Sequence, residues 1–176
     1  ARVLRNSGVQ DAANVYAVIR LASPGGIGEA AEQDVAQRPT RTLREVMCLA
    51  ASRDGVAREY ATDYAVTFQR GAPALRRARR DGLSWDDAVV ETYLTLLAAT
   101  PDTHIARKLG LAAAADVSRR SRAALDAGGV RTPAGRRGVA RLDEALRDAR
   151  NARNPGTTAD LTAAAIFTVL LNGGWS

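Results

Sequence analysis

The 176-residue chain has few of the residues that form disulfides, metal clusters or β-sheets. Cys48 is the only cysteine, so the sequence contains neither an internal disulfide nor a cysteine-based metal cluster. His104 is the only histidine, and aromatic residues make up just 5% of the chain. Alanine supplies much of the 46% of hydrophobic residues. This composition favours close-packed helices over strands.

Long hydrophobic runs are also absent. The longest apolar stretch, Leu161 to Leu171, is interrupted by threonines and is shorter than the roughly 18 residues of a membrane-spanning helix. The sequence opens at Ala1 with neither a signal peptide nor an initiator methionine. We therefore expect a cytoplasmic protein that does not associate with membranes, and we expect the chain to be part of a longer protein.

Lysine is nearly absent, because every basic residue except Lys108 is arginine. The formal charge is +6 and the pI is about 10.4. Arginine forms bidentate contacts with phosphate, so nucleotides, coenzymes and nucleic acid are candidate partners. Solvated helix faces explain the same charge equally well. Nucleic acid is disfavoured because the basic residues are scattered and no binding motif is present.

The apolar residues recur every three or four positions along most of the chain, which predicts helices. No segment shows the alternation that is typical of strands. We predict one all-α domain over residues 1–176, with six to eight helices. Asp11 and Ser84 are predicted N-caps, and Thr40 or Thr42 is predicted to begin a long helical segment that reaches Gly71. Within that segment Gly55 is compatible with either a break or a close helix crossing.

Three polar segments interrupt the helical pattern, each at a predicted helix boundary where free backbone N–H groups favour anions. The segments are Gly25-Gly26-Ile27-Gly28-Glu29, Asp102-Thr103-His104 with Arg107 and Lys108 one turn later, and Asn154-Pro155-Gly156-Thr157-Thr158-Ala159-Asp160. Their chemistry is complementary, since glycines allow close approach, cations bind phosphate, and carboxylates bind a metal or a proton. A purely structural interpretation also holds. In that interpretation Thr157 or Thr158 caps the last helix, Asp160 compensates its dipole, and His104 is a hydrogen-bonded bystander.

The order of three motifs, "GGIGEAAEQDV", "PDTHIARKLG" and "NPGTTADLTAA", resembles the triphosphoribosyl-dephospho-CoA synthase family. The similarity is greatest to the homologues of unassigned role in archaea and methylotrophic bacteria. The resemblance implies an all-helical enzyme that displaces adenine from ATP and couples the triphosphoribosyl unit to dephospho-CoA. The product would be the precursor of an acyl-carrier-protein prosthetic group, and magnesium is the expected counter-ion of the triphosphate.

The resemblance and the chemistry of the three polar segments together give candidate site residues. Asp160 and Asp102 are the candidates for stabilising positive charge at the anomeric carbon or for deprotonating an incoming hydroxyl. Glu29, Asp102 and Asp160 are the candidate magnesium ligands. The predicted substrate-binding residues are Gly25, Gly26, Gly28, Thr103, Arg107, Lys108, Asn154, Gly156, Thr157 and Thr158.

The chain departs from the family pattern in two ways. The motifs of the family's N-terminal half are absent, so we expect the C-terminal portion of a longer member, completed by a missing segment or subunit. In addition, Ile27, His104 and Thr157-Thr158 stand where arginine, asparagine and Gly-Ser are usual. These differences keep two alternatives open, namely ribosyl or phosphoribosyl transfer to another cofactor precursor, and a non-catalytic nucleotide-binding or assembly module. Assembly as a homo-oligomer also stays open.

Overall fold

The structure is a computed structural model and describes residues 2–23, 27–148 and 151–173. The described residues form ten α-helices and no strands, and nine of these helices have seven residues or more. The all-α prediction is confirmed, with more helices than the predicted six to eight. Two compact units divide the chain, residues 1–64 and 65–176. The single-domain organisation stays a prediction.

The N-terminal unit contains the first four helices. They are α1 (Arg2–Arg5), α2 (Val9–Ala22), α3 (Leu43–Ala50) and α4 (Gly55–Ala61). Its core joins α2, α3 and α4 through the buried side chains of Ala12, Tyr16, Leu43, Val46, Met47 and Ala57.

Caps determine where these helices begin. The N-cap of α2 is Gly8 rather than the predicted Asp11, which lies in the first turn and accepts a hydrogen bond from the Gly8 N–H at 2.7 Å. Of the two threonines considered, Thr42 caps α3 in a capping box with Glu45. The predicted long helix after Thr42 is divided because Asp54 caps a new helix at Gly55.

The C-terminal unit contains the remaining helices. They are a π-helical turn (Thr67–Gly71), α5 (Ala72–Arg80), α6 (Trp85–Ala99), α7 (Thr103–Leu109), α8 (Leu111–Asp126), a 3-10 turn (Gly129–Arg131), α9 (Pro133–Leu146) and α10 (Gly156–Leu171). Ser84 caps α6 as predicted, through a hydrogen bond from the Asp87 N–H. No described helix is both long and apolar enough to traverse a lipid bilayer.

Helix α6 lies at the centre of the C-terminal unit and packs against α5, α8 and α10. One core cluster joins α6 to α7, α8 and α9 around Leu94, Leu97 and Ile105. A second cluster joins α5, α6 and α10 around Leu75 and Val169. The two clusters hold α7 and α10 against neighbouring parts of α6, and α7 also contacts α10 directly. The two later polar segments therefore begin helices that are fixed in one unit.

Candidate functional site

The N-termini of α7 and α10 meet, and a single carboxylate joins them. Asp102 precedes α7 and is only 2% exposed. Its Oδ1 accepts hydrogen bonds from the N–H groups of His104 (2.8 Å) and Ile105 (3.1 Å), in the first turn of α7. Its Oδ2 accepts from the N–H and the hydroxyl of Thr158 in α10, both at 2.7 Å. Asp102 thus caps two helices at once. We call this contact the α7–α10 junction.

A second contact closes the junction. The hydroxyls of Thr103 and Thr157 are hydrogen-bonded at 2.9 Å. Thr157 and Thr158 are 6% and 4% exposed, and neither caps α10, whose N-cap is Pro155. The structural interpretation of these threonines as helix caps is therefore wrong, because both side chains are used to bind α7.

The hydrogen bonds of Asp102 limit what its carboxylate can do. A carboxylate offers about four lone-pair positions, and Asp102 uses them on two oxygens with four donors. Two helix N-termini also direct their positive dipole ends at this buried charge. The predicted roles of Asp102 as base and magnesium ligand stay predictions and would require these hydrogen bonds to be exchanged. In this arrangement the carboxylate connects α7 to α10.

The same hydrogen bonds change the prediction of an anion site at the start of α10. The N–H of Thr158 donates to Asp102, the N–H of Gly156 to the carbonyl of Asn154 at 2.8 Å, and that of Ala159 to the carbonyl of Pro155 at 3.0 Å. Asp102 therefore occupies the position at which a phosphate would meet a helix N-terminus.

His104 lies on the backbone of Gly156. A Cβ atom at position 156 would be 3.3 Å from Cγ and Nδ1 of the imidazole, so glycine allows the ring to approach. Nδ1 is also 3.4 Å from an Nη atom of Arg107. Partial burial, followed by the charges of Lys108 and Arg107, lowers the pKa of His104, although Asp102 and Asp160 oppose the shift. The neutral form of the imidazole is therefore favoured over its charged form.

The remaining predicted residues of the C-terminal unit surround the junction at its surface. Arg107 is half-buried, and Lys108, Asn154 and Asp160 are exposed. Asp160 lies on α10, one turn beyond the buried threonines. From the sequence, His104 was open between a member of the second polar segment and a hydrogen-bonded bystander. The signal that could have placed it at the site is its position directly after the Asp-Thr pair that begins α7.

The glycine segment belongs to the N-terminal unit. Gly25 and Gly26 lie outside the described residues, and Gly28 is exposed with a φ of +68°. Glu29 is exposed as well. The grouping of these four residues with the α7–α10 junction stays a prediction.

Asp34 orders the loop that follows this glycine segment. It accepts hydrogen bonds from the N–H groups of Ala30 (2.6 Å) and Ala36 (2.8 Å), which lower its pKa. Asp34 is the last but one residue of the "GGIGEAAEQDV" motif, although nothing in the sequence assigned it a role. The two hydrogen bonds connect the two ends of this loop through one carboxylate.

The fold and the junction define an all-α protein in which two helix N-termini, joined by one buried carboxylate, carry a cluster of cationic and acidic side chains. The family to which the chain belongs is the ATP:dephospho-CoA triphosphoribosyl transferase family (CitG), whose model matches residues 1–176. The resemblance stated from the motifs is thereby confirmed.

Individual relatives agree with this family. A predicted 2-(5''-triphosphoribosyl)-3'-dephosphocoenzyme-A synthase of Pseudomonas aeruginosa (strain UCBPP-PA14) is 39% identical over 129 residues, which are 69% of this chain and 42% of the relative. Its counterpart in Stutzerimonas stutzeri (strain A1501) is 32% identical over 112 residues, 63% of this chain and 38% of the relative. The chain thus spans about two fifths of the length of these curated relatives.

A solved structure has the same fold. It is the crystal structure of a predicted triphosphoribosyl-dephospho-CoA synthase from Archaeoglobus fulgidus, with a TM-score of 0.72 and 31% sequence identity. The similarity covers 98% of this chain and 70% of that chain.

Proposed function

We propose that the chain is part of an enzyme that transfers the triphosphoribosyl group of ATP to dephospho-CoA or a close analogue. The family supports the reaction class. The observation that carries the proposal is the α7–α10 junction, which joins the helix of Arg107 and Lys108 to the helix of the exposed Asp160 through hydrogen bonds of Asp102 and Thr103. A triphosphate and a developing positive charge at the sugar need these two kinds of group.

The transfer breaks the bond between C1′ of the ribose and N9 of adenine, and the bonding electrons leave with adenine. An alcohol oxygen of the acceptor forms the new bond to C1′ and loses its proton, and the departing adenine takes up one proton. Positive charge develops at C1′ during this exchange, so a nearby carboxylate lowers the barrier. Asp160 is suited to this role, or to accepting the proton, because its side chain is exposed. Asp102, by contrast, is buried and already accepts four hydrogen bonds.

Arg107 and Lys108 would bind the triphosphate oxygens, Arg107 through its guanidinium and Lys108 as a point charge. Both lie in the last turn of α7, so the phosphates would follow α7 rather than enter the N-terminus of α10, where Asp102 already lies. Asn154 and Gly156 would border the same surface. Thr103, Thr157 and Thr158 would act indirectly by holding the two helices together.

Magnesium fits this site only in part. Among residues 2–23, 27–148 and 151–173, no group of three or more histidine, cysteine, aspartate or glutamate side chains is arranged to hold a metal ion. Mg²⁺ commonly uses one or two carboxylates together with substrate phosphates and water. Asp160 meets that requirement, whereas Asp102 would first have to exchange its hydrogen bonds, and Glu29 remains a candidate from the N-terminal unit. Bound magnesium would offset the negative charge of the triphosphate.

The Asp160→Asn variant tests the proposal in the intact protein that contains this chain. We expect adenine release from ATP, measured chromatographically with dephospho-CoA present, to fall by about 10²-fold to 10⁴-fold, since the amide provides neither the charge nor the base. Asp126→Asn is the matched control, because Asp126 is an exposed acid at the end of α8. Unchanged release by Asp160→Asn, or no release by the unaltered protein, would contradict the proposal.

A different acceptor is the second candidate. His104 stands where the family pattern has asparagine, and its imidazole lies against Gly156. This difference favours another acceptor. Screening adenine release with a panel of cofactor precursors would distinguish the two acceptors. A non-catalytic nucleotide-binding module stays a third hypothesis, since the chain spans only part of its curated relatives, and ATP binding without adenine release by the intact protein would support it.

A further inference from the structure

The C-terminal unit contains a cavity of about 550 Å³ that lies between α6, the 3-10 turn and α9. Pockets of roughly 300–1,000 Å³ are typical of small-molecule sites. Its walls are mainly aliphatic and include Val90, Leu94, Val130, Val139, Leu142 and Leu146. None of the residues predicted from the sequence to bind substrate lines it.

The charged groups at the cavity compensate one another. Arg136 donates from its two Nη atoms to the two carboxylate oxygens of Asp87, at 3.1 and 2.7 Å. The pair holds the pKa of Asp87 below its usual range, with the hydrogen bonds from Arg136 as the largest cause. Because its one arginine is paired in this way, the cavity is unsuited to a polyphosphate. An uncharged ligand fits it better.

Two further groups give the cavity hydrogen-bonding capacity. Burial, with smaller contributions from Asp102 and Asp143, raises the pKa of Tyr93 well above its usual value, so its hydroxyl stays protonated and can donate. The carboxylate of Asp143 can accept, and it also binds Arg147 at the surface. A donor and an acceptor in an aliphatic wall match an amide group, which presents one carbonyl oxygen and one N–H.

The cavity lies close to the α7–α10 junction. Leu94 and Leu142 line it and also belong to the core cluster of Ile105, whose N–H binds Asp102. Tyr93 is the second link, because it lies within electrostatic range of both Asp102 and Asp143. A ligand that extended from the junction could therefore place an uncharged arm in the cavity.

We propose that this cavity binds the pantetheine arm of the CoA-like acceptor. The inference rests on the proposed function, which names that acceptor. Pantetheine is uncharged and carries two amides, a hydroxyl and a terminal thiol on short aliphatic segments. It therefore matches both the aliphatic walls and the hydrogen-bonding groups of Tyr93 and Asp143. The site would select acceptors that carry this arm, while the groups at the junction act on the triphosphate and the sugar.

The Ala140→Trp variant tests the proposal. Ala140 lines the cavity from α9 and is exposed, so an indole there would fill the cavity without entering the core. The matched control is Ala134→Trp, at an exposed alanine of the same helix that does not line the cavity. The probes are dephospho-CoA and ADP, because ADP is dephospho-CoA without the arm.

We expect Ala140→Trp to raise the Kd of this chain for dephospho-CoA by about tenfold or more, a loss of roughly 1.4 kcal/mol, and to leave the Kd for ADP unchanged. Ala134→Trp should alter neither. In methyl spectra of the unaltered chain, Val139 and Leu146 should shift with dephospho-CoA and stay in place with ADP. The proposal would be overturned if Ala140→Trp and the unaltered chain bound dephospho-CoA equally well, or if the unaltered chain did not bind it. Methyl signals that did not shift with dephospho-CoA would also overturn it.

Activity of the intact protein distinguishes this proposal from the function on which it rests. Adenine release that continues in Ala140→Trp with an unchanged KM for dephospho-CoA would remove the cavity from the mechanism and leave the transfer reaction standing. If binding of dephospho-CoA depended on the arm but no adenine were released, the cavity proposal would stand and the transfer reaction would be contradicted.

Discussion

Asp102 and Asp160 are both acids at the start of a helix, and their surroundings give them different roles. Asp102 is buried and accepts four hydrogen bonds from α7 and α10. Asp160 is exposed one turn into α10. A carboxylate that is fully hydrogen-bonded stabilises structure, whereas an exposed one can meet a substrate. At the residue scale, burial therefore separates the positioning acid from the candidate catalytic acid.

We expect Asp102→Ala to lower the free energy of unfolding by about 3 kcal/mol, because it leaves buried donors of two helices without an acceptor. Chemical denaturation of this chain measures the change. The control is Ser84→Ala. Ser84 is exposed and its hydroxyl accepts one capping hydrogen bond from the Asp87 N–H, so its loss should cost about 1 kcal/mol. Equal costs for the two variants would show that Asp102 is an ordinary cap.

The π-helical turn and α10 approach each other closely at the element scale. A Cβ atom on Gly71 would lie 2.8 Å from Cβ of Ala165, which is closer than two carbon atoms can pack. Gly71 and Ala165 are both buried. The small residues therefore determine the distance between the turn and the helix that carries Asp160.

The Gly71→Ala variant should lower the free energy of unfolding by about 1–3 kcal/mol through overpacking against α10. Adding Ala165→Gly removes the opposing methyl group, so the double variant should be more stable than the sum of the two single changes predicts. A double-mutant cycle from denaturation curves measures this coupling. Strictly additive changes would contradict the contact.

The elements also show which parts of the fold were predictable from the sequence. Ser84 was predictable as a cap, since a polar residue followed by two acids and an apolar run is a local pattern. The break between α3 and α4 was only half predictable, because the apolar stripe of α3 continues on α4 and Gly55 is equally compatible with a close helix crossing. The apolar periodicity predicted that this segment is helical, whereas the start of α4 depended on the capping side chain of Asp54.

At the scale of the whole molecule, each of the two units contains at least one core cluster of its own. Among the described residues the C-terminal unit contains two clusters and the α7–α10 junction, and the N-terminal unit contains one. Small units bury a lower fraction of their surface and are less stable. The C-terminal unit therefore has the larger share of the features that stabilise a fold by itself.

We expect a fragment of residues 65–176 to fold alone, with helical far-UV circular dichroism and one cooperative thermal transition. A fragment of residues 1–64 serves as the comparison and should be less stable. If neither fragment folded while the whole chain unfolded in one transition, the single-domain prediction would be supported and this expectation would fail.

By itself, the sequence determined the helical class, through its alanine content and its apolar periodicity, and it determined the family, through three ordered motifs. Both depend on local patterns. Only the tertiary structure decided that Thr158 binds Asp102 across 56 positions, that His104 lies against Gly156, and that an aliphatic cavity lies beside the core of α6 and α9. Contacts between distant segments depend on how helices pack, and the spacing of residues along one helix does not contain that information.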